Sequence, residues 1–152
     1  MKLKLRLATR NDLAAVQEII CAAYTPYIVG IGREPGPMRD DYRALIARDQ
    51  VYVAEYNGVV QGILVLTPQD DAMLLDNVAV APGAQGLGLG RRLLEFAERA
   101  AIEARYSAIK LYTNEAMTKN IALYTRIGYA ETYRIEENGL RRVYMLKSLG
   151  NI

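Results

Sequence analysis

Gln85-Gly86-Leu87-Gly88-Leu89-Gly90-Arg91-Arg92 is the stretch whose residue types and spacing point most directly to chemistry. It lies between an apolar, strand-like segment, Met73 to Val80, and a long amphipathic helical pattern. Glycines at such a junction let successive backbone N–H groups turn toward one point, because no Cβ stands in the way. The helix that follows leaves its first N–H groups without partners and presents its positive dipole end. Together these form a cradle for phosphate. Gly90 is followed by Arg91-Arg92 where a nucleoside-triphosphatase loop would need Lys-Ser or Lys-Thr, and glycines at 86, 88 and 90 do not match Gly-x-Gly-x-x-Gly. The run therefore points to a phosphorylated ligand without naming it.

What is missing narrows the chemistry. The chain has no histidine, which removes a Ser-His-Asp triad, a Cys-His pair and a His-ligated zinc site. No metal is expected. A general base must be a carboxylate, a tyrosine, a lysine, the chain terminus or a water. Cys21 is the single cysteine, so no internal disulfide can form. It reads as a small buried apolar residue and fits a reducing, cytoplasmic compartment. A net charge of +2 is too small to argue for a nucleic-acid partner. Met1 to Leu7 alternates basic and apolar residues, a strand pattern and not a signal peptide. No apolar run is long enough to span a bilayer, so no membrane association is expected.

The elements that must position the glycine run follow from periodicity. At 152 residues the chain fits one domain, residues 1–152. Leu3, Leu5 and Leu7 share one face of a first strand. Thr9 and Asp12 resemble a capping box for a helix reading Leu13, Val16, Ile20 and Ala23. Tyr24 to Met38, with Pro26, Gly30, Gly32, Pro35, Gly36 and Pro37, reads as a loop of a length that is often functional. A short helix through Tyr42, Leu45 and Ile46 follows. Val51 to Tyr56 and Val59 to Leu66, around Asn57-Gly58, read as a hairpin. Leu89, Leu93, Phe96, Ala97, Ala100 and Ala104 mark the buried stripe of the long helix. Ala108 to Thr113 is a strand, and Thr118 to Ile127 a helix closed by Gly128. A second hairpin, Tyr129 to Glu136 and Leu140 to Leu146, turns at Asn138-Gly139. The order β-α-α-β-β-β-α-β-α-β-β implies an α/β fold with a mixed sheet flanked by helices.

Asn77-Val78-Ala79-Val80-Ala81-Pro82, followed by Gln85-x-x-Gly88-x-Gly90, resembles motif A of the GCN5-related N-acetyltransferases (GNAT). Asn120-Ile-Ala-Leu-Tyr124-x-x-Ile-Gly128-Tyr129 resembles motif B of that family. The resemblance covers nearly the whole chain and is strongest from Leu75 to Tyr129. It implies a splayed sheet, acetyl-CoA as cosubstrate, and transfer of the acetyl group to a small-molecule, amino-acid or protein amine. A homodimer is among the states open to such a chain. The resemblance implies that backbone N–H groups from Gln85 through Gly86, Leu87, Gly88, Leu89 and Gly90 to Arg91 hold the pyrophosphate. It implies that Val78, Ala79 and Val80 pair with the pantetheine arm. Asn120 would bond to the pantetheine region, and the wedge would lie between the Met73–Val80 strand and Ala108 to Asn114.

An ammonium cannot attack a thioester until it loses a proton, and a lysine-like amine with pKa about 10.4 is almost wholly protonated near neutrality. Attack places charge on the carbonyl oxygen, which a backbone N–H near Val78 could stabilise. Tyr124, four residues after Asn120 and on the same helical face, is the candidate acid or orienting group for the leaving sulfur. The family's commonest acidic position falls on Leu74, and Asp76 shares its face in an ideal strand. Asp76 and Glu55 are the candidate bases, directly or through a water. Tyr24, Tyr27, Ile28 and Ile31 are candidates for the acceptor pocket, and Arg33, Glu34 and Arg39 for steering a charged substrate. Direct transfer is expected because Cys21 is an implausible acyl carrier. Two alternatives stay open: a CoA-binding sensor without chemistry, and a nucleotide-binding module that uses the glycine run alone.

Overall fold

The computed structural model describes residues 2–150; Met1, Asn151 and Ile152, the ends of the expected domain, lie outside them. Strand β1 (Leu3–Leu7) leads to helix α1 (Leu13–Tyr24), two short helices, α2 (Ile28–Ile31) and α3 (Tyr42–Ala47), and strands β2 (Val51–Tyr56), β3 (Val59–Pro68) and β4 (Met73–Val80). Helix α4 (Leu89–Glu103), strand β5 (Ala108–Asn114), helix α5 (Thr118–Arg126) and strands β6 (Ala130–Glu137) and β7 (Leu140–Ser148) complete the chain. The seven strands form one sheet in the order β1-β2-β3-β4-β5-β7-β6, antiparallel except at β4–β5. This is the expected mixed sheet flanked by helices.

Both hairpins turn as their sequences require. Asn57 and Gly58 have φ of 53° and 84°, and Asn138 and Gly139 have 52° and 78°. Positive φ at both central residues is the two-residue turn whose twist matches the strands it joins. Each face of the sheet carries its own core. Leu64, Leu75, Leu111 and Val143 pack under Leu93, Leu94 and Ala97 of α4, with α5 alongside. Val53, Ile63, Val65 and Ala79 pack under Val16, Ile20 and Ile46 of α1 and α3.

Two features of the sheet make room for a site. Strands β4 and β5 pair only over Met73–Leu75 and Ile109–Leu111, then separate. Opposite β3, Val65 faces Asn77 and Leu66 faces Leu75, so Asp76 is an extra residue in a bulge. A bulge bends its strand and re-aims side chains. Here Met73 and Leu75 pack on the α4 side, whereas Ala79 packs on the α1 side, so the alternation changes phase between them.

Several expectations are corrected. The segment Tyr24 to Met38 is not an open loop: it forms 3-10 turns at Thr25–Tyr27 and Gly36–Arg39 around α2. Pro26 and Pro37 sit in first turns, where a missing N–H costs nothing, and Gly32 closes α2 at φ 88°. The near-continuous helical run Arg10–Ile31 is long and apolar enough to cross a membrane by length and composition, against the expectation. Its Val16, Ile19, Ile20 and Tyr24 are nonetheless buried in this fold. Cys21 is exposed on α1 instead of buried. Along α4, Leu94 and Ala101 join the buried stripe and Ala104 is exposed. Leu7 is also exposed, at the end of β1.

The start of α1 is held by charge. Arg6 bonds Asp12 at 2.8 and 3.0 Å and Glu55 at 2.6 Å, while the Thr9 N–H donates to Asp12 at 2.7 Å. These contacts, the Arg6 hydrogen bond foremost, hold the Asp12 carboxyl down at about 2.

Candidate active site

Two clefts open where β4 and β5 part, and they meet. The first runs from the glycine turn along β4 to α5. Val78, Ala79 and Val80 form one wall, Gln85, Gly86, Gly88, Leu89 and Gly90 one end, and Asn120, Leu123 and Tyr124 the other wall. Gly86 and Gly88 have φ of 87° and 81°, with nothing within 4 Å of where a Cβ would stand. Glycine is required there by backbone conformation and not by crowding. Helix α4 begins at Leu89, so its first unpaired N–H groups belong to this cleft.

Lys119 and Arg126, at either end of α5, line the same cleft and supply cations there. Neither stood out in the sequence. Their signal was helical spacing, since both lie near the Asn120–Tyr124 face. Arg91 and Leu87 are exposed and do not line the cleft.

The second cleft lies beyond the bulge. Asp76, Tyr112, Arg142 and Asp40 bring three charges and a phenol into it, under a strap made by Pro35, Gly36 and Pro37. The Tyr112 hydroxyl donates to Asp76 Oδ1 at 3.4 Å, and the Arg142 guanidinium lies 4.6 Å from the Tyr112 ring centroid. Burial raises the Asp76 carboxyl above the ordinary carboxylate range, against smaller lowering effects of Tyr112 and Arg142. Asp40 stands exposed at the rim, yet desolvation of its carboxyl and the charge of Asp76 push it up to about 6. Desolvation, with Asp76 next, pushes Tyr112 up to about 12.

Tyr24, Val78, Met117, Asn120 and Tyr124 line both clefts and mark their junction. Tyr124 is buried, edge-on to Tyr129 at 5.8 Å. Desolvation, then Tyr27, raises its pKa, so it remains a protonated donor across the physiological range. Tyr24 is committed to a network. Its hydroxyl donates to Asn77 Oδ1 and lies 3.3 Å from the Val78 carbonyl; Asn77 Nδ2 donates to the Tyr42 hydroxyl at 3.0 Å, which donates to the Pro37 carbonyl at 2.6 Å. The network fastens α1, α3 and the strap to the residue beside the bulge.

Other expected residues are placed differently. Glu55 is ion-paired with Arg6 and lines neither cleft. Tyr27 lines the first cleft and not the second, and Ile31 lines neither. Asn114 lines the second cleft, and its Oδ1 accepts from the Ala116 N–H at 2.9 Å. Arg33, a candidate for steering a ligand, donates to the Asn138 carbonyl at 2.6 Å, tying the strap to the β6–β7 turn. Among the described residues no cluster of His, Cys, Asp and Glu could hold a metal.

The acetyltransferase (GNAT) family model matches residues 13–129. Solved structures share the fold. The putative acetyltransferase yncA of Salmonella typhimurium, solved with its cofactor acetyl-CoA, is 22% identical with TM-score 0.76, over 100% of this chain and 96% of that one. The paiA N-acetyltransferase of Thermoplasma acidophilum, in complex with coenzyme A, is 16% identical with TM-score 0.82, over 97% and 99%. The ribosomal-protein-S18-alanine N-acetyltransferase of Escherichia coli is 18% identical with TM-score 0.77, over 99% and 96%. A comparison with curated proteins finds no match. With more than half of its length matched by the family model, and the glycine turn and splayed strands within that match, this chain belongs to the GNAT acetyltransferase family.

Proposed function

We propose that the protein transfers the acetyl group of acetyl-CoA to the nitrogen of a primary amine by direct attack in a ternary complex. The observation that carries this reading is the meeting of two clefts at Val78 and Tyr124, one fitted to an anionic coenzyme and one bearing carboxylates. The first cleft suits the cosubstrate. Backbone N–H groups at the glycine turn and the cations Lys119 and Arg126 suit a diphosphate, and β4, freed from β5 beyond Leu75, suits an extended arm.

Acetyl-CoA supplies the acetyl thioester; the chain supplies position and protons. Asp76, whose raised pKa makes it a stronger base than an ordinary carboxylate, takes the proton of the ammonium, directly or through a water. Tyr112 orients that carboxylate from 3.4 Å. The nitrogen then bonds to the carbonyl carbon to give a tetrahedral oxyanion, whose collapse breaks the carbon–sulfur bond while the nitrogen's second proton passes, directly or through water, to restore the phenol that protonates the sulfur. A backbone N–H near Val78 faces the developing oxyanion, and Tyr124 donates to the leaving sulfur. Cys21, the only thiol, lines neither cleft, which favours direct transfer over an acylated enzyme. The carboxylates of the second cleft also speak against a CoA sensor, which needs no base. The exposed, unpaired Cys21 supports a reducing, cytoplasmic setting.

The test is release of free thiol from acetyl-CoA across a panel of amine acceptors. Turnover that depends on acceptor supports the reading. Tight coenzyme binding with no turnover for any amine would leave a sensor instead.

A further inference from the structure

The second cleft carries charges of both signs, and their arrangement bears on what the acceptor is. Asp40 and Asp76 line the same cleft, one on the strap side and one on the bulge, and the charge of Asp76 helps raise the Asp40 carboxyl. Arg142, on β7 where it pairs with Asn114 of β5, faces them from another wall. The guanidinium lies over the Tyr112 ring, has the Tyr144 hydroxyl and Glu137 beside it, and lines the cleft where a ligand can reach it. It forms a long ion pair with Glu137 at 3.8 Å, and Glu137 also accepts from the Tyr144 hydroxyl, so a ligand carboxylate can compete for the N–H fork. A planar fork held this way matches a carboxylate.

We propose that the acceptor is a small amino-carboxylate, with its ammonium between Asp40 and Asp76 and its carboxylate on Arg142. The proposal rests on the acetyltransferase reading above and narrows its substrate. Size argues the same way. The strap is fastened at one end by Arg33 on the Asn138 carbonyl and at the other by Tyr42 on the Pro37 carbonyl. A Cβ on Gly36 would stand in ordinary contact with Arg142, 3.7 Å from Nη2, which places the strap against the guanidinium. The cavity beneath the strap is small, about 100 Å³, which favours a free amino acid over a peptide chain. A simple polyamine would leave Arg142 facing a cation.

The experiment compares matched acceptors on the wild-type protein: free amino acids, their carboxamides, the amines that lack the carboxylate, and short peptides, each read by thiol release. Binding of acetyl-CoA, and of acceptors to the CoA complex, is measured separately by calorimetry. Charge-assisted hydrogen bonds are worth enough that kcat/KM for the amino acid should exceed that for its amide or decarboxylated amine by about tenfold to a hundredfold. Arg142→Gln should raise KM for the amino acid about tenfold or more, leave the affinity for acetyl-CoA unchanged, and abolish the preference. Asp40→Asn should raise KM for every amine. Amides, plain amines or peptides used as well as amino acids would overturn the proposal, and so would an Arg142→Gln variant that weakened all acceptors equally. If acetyl-CoA binds but no amino acid binds or reacts, the proposal also fails. Should Arg142→Gln not fold, the wild-type preference alone decides. Failure of the wild-type protein to bind acetyl-CoA would instead refute the acetyltransferase reading itself.

Discussion

Tyr124 and Asp76 divide the proton chemistry, and each can be probed alone. Tyr124→Phe keeps the ring packed against Tyr129 and removes only the donor. Because a thiolate is already a tolerable leaving group, we expect kcat to fall about tenfold, below the full range for a general acid, with CoA affinity unchanged by calorimetry. Asp76→Asn should cost about a hundredfold in kcat/KM. The pH profile follows from the direction of the Asp76 shift. The base works deprotonated, and burial raises its pKa, so activity should climb with pH through a value above the usual 3.8. That limb should vanish in Asp76→Asn; a limb at the ordinary carboxylate position in both proteins would contradict the assignment. At this scale the sequence named Tyr124 and Asp76 through motif spacing. It did not name Asp40, Tyr112 or Arg142, because three separate elements carry them and only the tertiary fold brings them together. Glu55 was another candidate base, but its partner Arg6 lies 49 residues away in sequence and cannot be read from local pattern.

The glycine turn and the bulge are the elements on which the site depends. Gly88→Ala forces a Cβ into φ 81° and should cost about 1–2 kcal/mol of local strain, read as weaker CoA binding in calorimetry with the fold retained in circular dichroism. An unchanged affinity would mean that the turn does not hold the coenzyme. Asn77→Ala would remove one partner each from the Tyr24 and Tyr42 hydroxyls, leaving them the Val78 and Pro37 carbonyls, and should lower unfolding free energy by about 1 kcal/mol. The strands, both hairpins and the long helix were legible because period-2 runs, Asn-Gly pairs and a 3.6-residue stripe are local signals. The bulge at Asp76 was not, since one extra residue in an otherwise regular strand shows only against its partner β3. The strap was misread because proline and glycine usually signal a loop. Here the prolines start helical turns and a glycine ends one.

Across the whole molecule, the Arg6–Asp12–Glu55 cluster joins the first two strands to the start of α1, far from the clefts. Asp12 has its pKa lowered from 3.8 to about 2 in the folded state. Its contribution to stability is therefore present above the unfolded value and is lost as pH falls through that window. Denaturant unfolding at stepped pH should show this loss in the wild-type protein and not in Asp12→Asn. The site itself needs the entire sheet: β4 and β5 must pair at one end and part at the other, so that helix α4 can offer its N–H groups and α5 its tyrosine to the same gap. A crystal structure of the complex with coenzyme A tests that claim most directly. We expect the diphosphate on the N–H groups of the Gly86–Gly90 turn, the arm along Val78–Val80, and the sulfur within hydrogen-bond reach of the Tyr124 hydroxyl. A coenzyme bound elsewhere, or one whose sulfur lies away from Tyr124, would contradict it.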